Sequence, residues 1–490
     1  METYRIAGYF KNKCILITGS TGFLAKIFVE KVLRAQPDVK KLFLLVRASD
    51  ATSAKQRVQN EVIGKELFTV LEEKHGRGFH SFIEEKVFPV AGDIVHENLG
   101  IEDSILTELW KDIDFVVNVA ATTSFNERYD VAMNVNVLGA KNVLEFAKRC
   151  GKAKMLLHVS TAYVAGEMEG LIPEKPFSMG ETLNGNSHLD IQEEINFVQE
   201  RKKELQADKS TERIEKITMK ELGMKRARHF GWPNTYVFTK AMGEMLLGHL
   251  RGDLPLVIIR PTIITSIYKD PLPGWMEKTR TIDSFIIGYA KGKLTCSLGN
   301  PKLTMDVIPG DMVVNAMIVA MAAYLNNQSE IIYHISSSMR NPVAFSILQL
   351  CVYQYFSKHP RTGKDGKTIK TRKVPMFRNL ASFHTYMVLR YKLPLEVLHL
   401  LDLILCRSIS HRCNELRQMY NFIVRLAELY APYTFFKGCF EDINSRRLWM
   451  AMMKDNTEEI PLLDFDPKSI DWEDYFNNIH IPGVLKHLCN

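Results

Sequence analysis

Short apolar runs alternate with stretches of helical periodicity along the chain as far as residue 261. The helical stretches include Phe23–Ala35 and Ala132–Cys150. Runs that are apolar throughout and separated by helices indicate parallel βαβ units, with helices covering both faces of the sheet. The pattern therefore predicts an α/β fold with a doubly wound, Rossmann-type parallel sheet. The predicted strands are Cys14–Thr18, Lys41–Val46, Val87–Ala91, Phe115–Val119, Met155–Val159 and Leu256–Ile259.

Two insertions interrupt this alternation, and a change of composition follows it. Thr52–Lys74 has the pattern of an added amphipathic helix, and Ile191–His229 is highly charged, as solvated helix faces usually are. Arg361–Lys373 then holds six Lys and Arg residues against one Asp and lacks an apolar period. We predict a Rossmann-type first domain with insertions over residues 1–360, a basic linker over 361–375 and a smaller helical domain over 376–490.

Length and composition exclude several classes of protein. A chain of 490 residues with 46% hydrophobic and 24% charged residues is typical of a globular protein of more than one domain. The longest apolar runs, such as Ala316–Leu325, are shorter than the ~18 residues that a membrane-spanning helix needs. The net charge of +7 is not concentrated on one face, so we expect no nucleic-acid partner. The eight cysteines include no C-x-x-C pair, which predicts reduced thiols and no metal site.

A glycine-containing turn joins the first predicted strand to the first helix, with the spacing G-x-x-G-x-x-A. Glycines there allow a tight turn and a close approach to a pyrophosphate, which the helix N-terminus attracts. Ala25 replaces the third glycine, where only helix–strand packing is required. The position of the turn in a βαβ unit favours cofactor binding over a purely structural turn. The candidate cofactor-binding residues of this turn are Gly19, Ser20, Thr21, Gly22, Phe23 and Leu24.

The end of the second strand indicates which dinucleotide is bound. An enzyme that uses NAD favours Asp or Glu there, to bind the 2′-hydroxyl of the ribose. This chain has Arg47, and a guanidinium suits a 2′-phosphate through charge-assisted hydrogen bonds. We therefore expect NADPH, the alternative being a surface arginine that merely ends a strand.

Polar residues also follow the third and fourth strands. Asp93 and Ile94 are candidates for contact with the adenine, and Asn118 and Ala120 lie where the nicotinamide ribose would run. Asn136 opens or lies inside the next helix, where an asparagine can instead satisfy backbone carbonyls. Ligands of doubly wound sheets bind outside the carboxyl ends of the strands, which is where these positions fall.

Tyr236 and Lys240 are the candidate catalytic pair. They are four residues apart on a helix that we expect to start at Trp232–Pro233, so they share one face. An ammonium group beside a phenol lowers the pKa of the phenol, which would make Tyr236 a proton donor near neutral pH. A hydroxyl for the substrate oxygen is expected at the end of the fifth strand. There we prefer Thr161 to Ser160, although the choice between them stays open.

The glycine turn, the Tyr236/Lys240 pair and His158–Tyr163 resemble the extended short-chain dehydrogenase/reductase group. Within that group, Phe115–Thr122, Arg228–Tyr236 and Ile259–Ile263 resemble the plant fatty acyl-CoA reductases, or male-sterility protein family. The resemblance extends to the C-terminal segment.

The resemblance implies NADPH-dependent reduction of long-chain fatty acyl-CoA to a primary alcohol through an aldehyde, for wax, suberin or related lipids. It also implies the cytosolic face of the endoplasmic reticulum, with the cytoplasm as alternative. The plastid branch carries an N-terminal extension, so the plastid is not expected.

The implied chemistry places a thioester carbonyl between Thr161 and Tyr236, where Tyr236 hydrogen-bonds or protonates the developing oxyanion. Two alternatives remain at this point, a sugar-nucleotide epimerase or dehydratase and a catalytically inactive dinucleotide-binding scaffold. Phe383–Cys406 is apolar but interrupted by charges, so we expect it to lie at a membrane interface or to line an acyl tunnel, with Arg361–Lys373 facing anionic headgroups. An ordinary helical core beside a solvated linker is the alternative. The sequence leaves the acyl chain length and the oligomeric state open.

Overall fold

A computed structural model describes residues 8–323, 329–363, 366–404, 410–454 and 460–489. The strands are β1 (Cys14–Thr18), β2 (Lys41–Val46), β3 (Val87–Ala91), β4 (Phe115–Asn118), β5 (Met155–Val159), β6 (Gly170–Ile172), β7 (Leu256–Pro261), β8 (Ile263–Thr265), β9 (Ser297–Leu298), β10 (Val307–Pro309), β11 (Glu330–Ile335), β12 (Met376–Phe377) and β13 (Gly438–Phe440).

Helices surround the sheet and build most of the second half of the chain. They are α1 (Phe23–Ala35), α2 (Ala51–Val58), α3 (Thr69–His75), α4 (Phe79–Lys86), α5 (Asp103–Asp112), α6 (Tyr129–Ala132), α7 (Gly139–Arg149), α8 (Ile191–Ala207), α9 (Glu212–His229), α10 (Thr235–Leu250), α11 (Thr281–Ala290), α12 (Gly310–Ala323), α13 (Phe345–Lys358), α14 (Leu380–Met387), α15 (Leu393–Ile404), α16 (Ser410–Thr434), α17 (Ile443–Met453), α18 (Trp472–Asp474) and α19 (Ile481–Leu488).

Seven parallel strands form the central sheet in the order β3-β2-β1-β4-β5-β7-β11. This order confirms the predicted doubly wound fold. Four of the strands, β1, β4, β5 and β7, are buried at every position because helices cover both faces. Strand β2 is partly exposed at its first residue, and β3 and β11 include partly exposed residues. The six predicted strands are present, with β4 one residue shorter and β7 two residues longer than predicted. The pattern missed β11, which pairs with β7 at the edge of the sheet.

The strand order reverses at β1, which lies between β2 and β4. In register, Thr18 at the end of β1 pairs with Asn118 at the end of β4, and Asn118 pairs with His158 on β5. The carboxyl ends of three strands therefore meet at one crevice, the usual ligand position in such sheets.

Each predicted insertion contains two helices. The first contains α2 and α3, joined by a π turn and a 3-10 turn. The second contains α8 and α9, which begin at the N-caps Asp190 and Thr211; each cap side chain accepts hydrogen bonds from the first turn of its helix.

The C-terminal part of the chain packs in two places. Phe383 and Met387 belong to a small cluster of their own with residues of α16, whereas Leu448, Phe465 and Tyr475 belong to the large cluster that also contains β1 and α1. Strand β13 pairs with β6. The boundaries proposed for the linker and for the helical domain stay predictions. Residues 364, 365 and 405–409, which fall within the predicted basic and apolar segments, lie outside the described residues.

Candidate active site

The turn after β1 has the geometry of a phosphate cradle. Gly19 has φ +66°, and a Cβ there would lie 2.7 Å from the backbone N and Cα of Ala120. Only glycine permits both this conformation and this close approach. The N-cap of α1 is Gly22, which supplies no side-chain cap, so the first-turn N–H groups of α1 remain available to an anion. These residues fit a dinucleotide pyrophosphate.

The side chains of the turn divide between structural and accessible positions. The Ser20 hydroxyl donates to the carbonyl of Ile17 at 2.8 Å, and Leu24 is buried in the main core. Thr21 is half-buried and Gly22 is exposed, so they present the open side of the turn. Phe23 stacks on Trp275 with ring centroids 5.3 Å apart. Ser20 and Leu24 therefore contribute through their backbone and packing.

At the end of β2, Arg47 is exposed and its carbonyl accepts a hydrogen bond from Arg57 at 2.7 Å. The carboxylate nearest in sequence, Asp50, is already engaged as the N-cap of α2. Its oxygens accept from the Ser53 amide at 2.8 Å and from the Ser49 hydroxyl at 2.7 Å. The guanidinium of Arg47 is therefore accessible to solvent, whereas the carboxylate of Asp50 is occupied by the first turn of α2.

Asp93 and Ile94 follow β3 at the crevice. Asp93 is half-buried, and its Oδ1 accepts from the amide of Val95 at 3.2 Å. Ile94 is buried, and its carbonyl accepts from Asn142 Nδ2 at 2.9 Å. Both residues line the same edge of the sheet as the glycine turn.

Asn136 is 2% exposed and lies in the π-helical segment Met133–Leu138 between α6 and α7. Its Nδ2 donates to the Thr122 carbonyl at 3.1 Å and to Thr239 Oγ1 at 3.0 Å, and its Oδ1 accepts from the Thr122 amide at 3.0 Å. The side chain therefore ties the loop after β4 to α10. Asn136 therefore satisfies backbone groups, which is the alternative to cofactor contact, since both ends of its amide are hydrogen-bonded within the protein.

Asn118 belongs to a buried chain of polar groups that the sequence did not reveal. Thr18 Oγ1 lies 2.6 Å from Asn118 Oδ1, Asn118 Nδ2 lies 3.0 Å from His158 Nδ1, and His158 Nε2 lies 3.0 Å from Lys240 Nζ. Lys240 Nζ also donates to the Val159 carbonyl at 2.8 Å. Each of the four side chains in the chain is 1% exposed or less. The polar chain thus connects the glycine turn directly to the candidate catalytic lysine.

Tyr236 and Lys240 lie one turn apart on α10. The helix begins at Thr235, with Asn234 as N-cap, three residues later than the predicted start at Trp232–Pro233. The hydroxyl of Thr161 neighbours that of Tyr236 and acts on it as a hydrogen-bonding group that lowers the pKa of the phenol, and Thr161 is 6% exposed. The structure therefore brings together the three residues predicted as the catalytic set.

The predicted effect of Lys240 on Tyr236 is wrong in this structure. Burial raises the pKa of Tyr236 above its ordinary value, against a smaller opposing effect of the Thr161 hydrogen bond. The Lys240 ammonium is directed at His158 and the Val159 carbonyl. Burial also lowers the pKa of Lys240 to about 8, while Glu244 on the same helix acts in the opposite direction. The i, i+4 spacing placed both groups on one face but did not fix where the ammonium points.

Ser160, the alternative to Thr161, is 4% exposed, and its Oγ has no hydrogen-bond partner among the described residues. Its amide donates to the Ile259 carbonyl at 2.7 Å. The hydrogen bond to Tyr236 favours Thr161 as the hydroxyl that acts with it.

An aromatic wall, which we define as Phe125, Tyr163, Tyr430, Tyr433 and Phe436, covers the site. Phe125 stacks at 6.0 Å on Tyr236 and at 4.8 Å on Tyr433. Tyr163 contacts Tyr433 at 5.0 Å and Phe436 at 5.4 Å. The wall therefore joins the end of α16 to the catalytic helix. The residues of these contacts are distant in sequence, so no local pattern predicts the wall. The buried polar chain did have one local signal in the sequence, since His158 is a polar residue in an otherwise apolar strand.

Two segments match family models with the description male sterility protein, residues 17–317 and residues 390–490. The alcohol-forming fatty acyl-CoA reductase of Simmondsia chinensis is 50% identical over 492 residues, which cover 100% of both chains. Fatty acyl-CoA reductase 1 of Arabidopsis thaliana is 49% identical, with 98% of each chain covered. The solved terminal R domain from the myxalamid PKS-NRPS biosynthetic pathway aligns with a TM-score of 0.55 and 17% identity, over 91% of this chain and 86% of that chain. The last likeness concerns the fold.

Proposed function

Because this chain belongs to the male sterility family of fatty acyl-CoA reductases, we propose that it reduces long-chain acyl-CoA to a primary alcohol with NADPH as reductant. The observation that carries the proposal is the pair of neighbouring hydroxyls of Thr161 and Tyr236, on which the aromatic wall packs through Phe125. Two hydroxyls and an apolar cover are what a thioester carbonyl with a long alkyl chain requires.

Within the site, Thr161 and Tyr236 donate hydrogen bonds to the oxygen of the substrate carbonyl. When bound, NADPH would supply the hydride for both reductions, that of the thioester and that of the aldehyde. As negative charge develops on the oxygen, the two hydroxyls stabilise it, and in the second reduction the Tyr236 phenol gives its proton to the alkoxide. In the thioester step hydride adds directly to the carbonyl carbon, the carbonyl re-forms as the CoA thiolate leaves, and the thiolate takes a proton from solvent. No acyl-enzyme forms, so the site needs no cysteine nucleophile. Lys240, whose ammonium is directed at His158 and the Val159 carbonyl, is assigned to the side of the site where the nicotinamide ribose would bind.

The choice of NADPH rests on the end of β2. Arg47 is exposed there, and the nearest acidic residue, Asp50, is engaged by the first turn of α2. The pyrophosphate is assigned to the backbone of Gly19–Leu24. Asp93 and Ile94 contribute to the adenine side, and Ala120 to the ribose. Asn118 and Asn136 act by positioning, since their amides are hydrogen-bonded within the protein.

The C-terminal helical region exposes several large apolar side chains. Leu389 is 62% exposed, Val397 57%, Leu400 60% and Phe422 65%. Contiguous exposed apolar side chains mark membrane or partner surfaces. We assign this face to the membrane interface, with the protein peripheral on the cytosolic face of the endoplasmic reticulum and Arg361–Lys373 near anionic headgroups. In the part of the chain that the structure describes, no helix is long and apolar enough to span a membrane.

Membrane association is tested by sedimentation with vesicles that contain anionic lipid. Leu400→Glu and Phe422→Glu should each reduce the pelleted fraction, because a charge would have to enter the interface. Leu171, which is 57% exposed on β6, provides the matched control. Equal pelleting of Leu400→Glu and Leu171→Glu would contradict the assignment of this face to the membrane interface. Pelleting that does not depend on anionic lipid would contradict the role of the basic segment.

The reductase activity is tested with the purified full chain, palmitoyl-CoA and NADPH. Oxidation of NADPH should produce hexadecanol, at two NADPH per alcohol, as measured by absorbance and gas chromatography. A UDP-sugar serves as the substrate of the epimerase alternative. Turnover of the UDP-sugar without alcohol from palmitoyl-CoA would refute the proposal, and a protein that binds NADPH but turns over neither substrate would support the inactive scaffold.

A further inference from the structure

The four-residue polar chain of Thr18, Asn118, His158 and Lys240 has a property that its distances alone do not show. A neutral imidazole has one donor nitrogen and one acceptor nitrogen. Burial, together with the charge of Lys240, holds the pKa of His158 well below its ordinary value, so the ring is neutral at physiological pH. Both ring nitrogens have partners at 3.0 Å. One nitrogen must therefore donate a hydrogen bond to its partner while the other accepts one.

When Lys240 is an ammonium, it can only donate, so His158 Nε2 must accept and the ring proton must be on Nδ1. Nδ1–H then donates to the Asn118 amide oxygen, which requires that the amide turn by 180°. The amide NH₂ then faces Thr18 Oγ1, which accepts from it and also from the Ala120 amide at 3.3 Å. In this state the Thr18 hydroxyl no longer donates to Asn118.

When Lys240 is neutral, every polarity is reversed. His158 Nε2–H donates to the Nζ lone pair, and Nδ1 accepts from Asn118 Nδ2. The Thr18 hydroxyl then donates to Asn118 Oδ1, the distance of which is 2.6 Å. Lys240 Nζ continues to donate to the Val159 carbonyl in both states. The change from one state to the other removes one proton: a lysine proton passes to Nε2, and the Nδ1 proton is released to solvent base.

We infer that His158 is a positioning residue that works as a hydrogen-bond switch, whose tautomer follows the charge of Lys240 and transmits it through Asn118 to Thr18, the residue next to the dinucleotide turn. The inference rests on the proposed function only in assigning Lys240 to the cofactor side of the site. Asn118 is thereby more than a satisfied core residue, since its amide orientation records the charge state of a lysine two side chains away.

The charged groups around Lys240 determine where the switch occurs. Glu244 lies on the same helix and is paired with Arg260 of β7, with Arg260 Nη2 2.5 Å from its Oε2. Tyr236 is on the same helix and is neutral because burial raises its pKa. The nearby ionisable group on β5 is His158 itself. Since the pKa of Lys240 is lowered to about 8, the tautomer should reverse within about one unit of pH 8.

The experiment is a pH titration of the full-length protein labelled with ¹⁵N-histidine, in which two-bond ¹H–¹⁵N spectra distinguish the two tautomers. The His158 signals are identified by their loss in His158→Gln. Below pH 7 we expect Nδ1–H, and above pH 9 Nε2–H, with the ring neutral throughout. Asn118→Asp, which offers only acceptor oxygens, should hold the Nδ1–H tautomer over the whole range. His334, which is buried on β11, provides the control histidine and should keep one tautomer.

Three results would overturn the inference: a single His158 tautomer from pH 6 to pH 10, a His158 ring that becomes a cation in this range, or a reversal that persists in Lys240→Met. Asn118→Asp serves as the second variant if Lys240→Met does not fold. The titration needs neither substrate nor cofactor, so its failure would leave the proposed reductase function standing. Conversely, a chain without reductase activity could still show the switch.

Discussion

The hydroxyl of Tyr433 connects helix α16 to the start of the catalytic helix α10. Asn234 Nδ2 donates to the hydroxyl of Tyr433 at 2.6 Å, while Asn234 Oδ1 caps α10 by accepting from the Val237 amide at 3.2 Å. Asn234 is 1% and Tyr433 8% exposed. In Tyr433→Phe the ring can stay in the aromatic wall, but the Asn234 amide loses its acceptor in a buried place.

The expected cost is that of an unsatisfied buried donor, about 1–3 kcal/mol in free energy of unfolding. For a chain of 490 residues, ~2.1 cal/mol/K per residue gives an unfolding entropy of roughly 1 kcal/mol/K, so the midpoint should fall by about 1–3 °C. The N-cap precedes Tyr236 by two residues. If the same loss of free energy also displaces the Tyr236 hydroxyl in the transition state, kcat/KM should fall by about tenfold, since 1.4 kcal/mol corresponds to a factor of ten.

Thermal unfolding followed by circular dichroism and steady-state kinetics with palmitoyl-CoA measure the two effects. Tyr420→Phe is the matched control, because Tyr420 lies on the same helix but packs in the cluster around Phe383. If Tyr433→Phe and Tyr420→Phe had the same midpoint and the same kcat/KM, the hydroxyl would not anchor the catalytic helix. Loss of stability without loss of kcat/KM would limit its role to folding.

Three further substitutions test the rest of the site. Tyr236→Phe should lower alcohol formation by at least about 100-fold, as expected for loss of a general acid, while NADPH affinity measured by fluorescence changes little; substantial remaining turnover would contradict its role. Arg47→Glu removes a charge-assisted bond of ~1.5–3 kcal/mol, so the ratio of kcat/KM for NADPH to that for NADH should fall roughly tenfold or more, and an unchanged ratio would leave Arg47 as a surface residue. Gly19→Ala should weaken NADPH binding and lower the unfolding midpoint, because its Cβ would lie 2.7 Å from Ala120, whereas Gly151→Ala meets no atom within 4 Å and is the calorimetric control. Equal behaviour of the two alanine variants would refute the close approach.

Sequence patterns were sufficient for the elements whose signal is local. Strands buried on both faces are continuous apolar runs, and for that reason β1, β2 and β5 had the predicted bounds, as did the partly exposed β3. The glycine turn marked the start of helix α1 in the sequence. Gly19 has φ +66°, which only glycine adopts without strain, so the turn is visible as a glycine at this position. The edge strand β11 has a weaker signal, since it is partly exposed at its start, and it was missed.

Motif spacing likewise brought Tyr236, Lys240 and Thr161 to one crevice, because a helix period and the ends of parallel strands are properties of short segments. The direction of the Lys240 ammonium, the partners of Asn118 and the aromatic cover from α16 could not be read in this way. Each depends on side chains that are about 40 to 310 residues apart in sequence and meet only when the sheet and the C-terminal helices pack together. Burial, which raises the pKa of Tyr236 and lowers that of Lys240, is a property of that packing; the sequence named the reacting groups, and the tertiary structure decided their protonation.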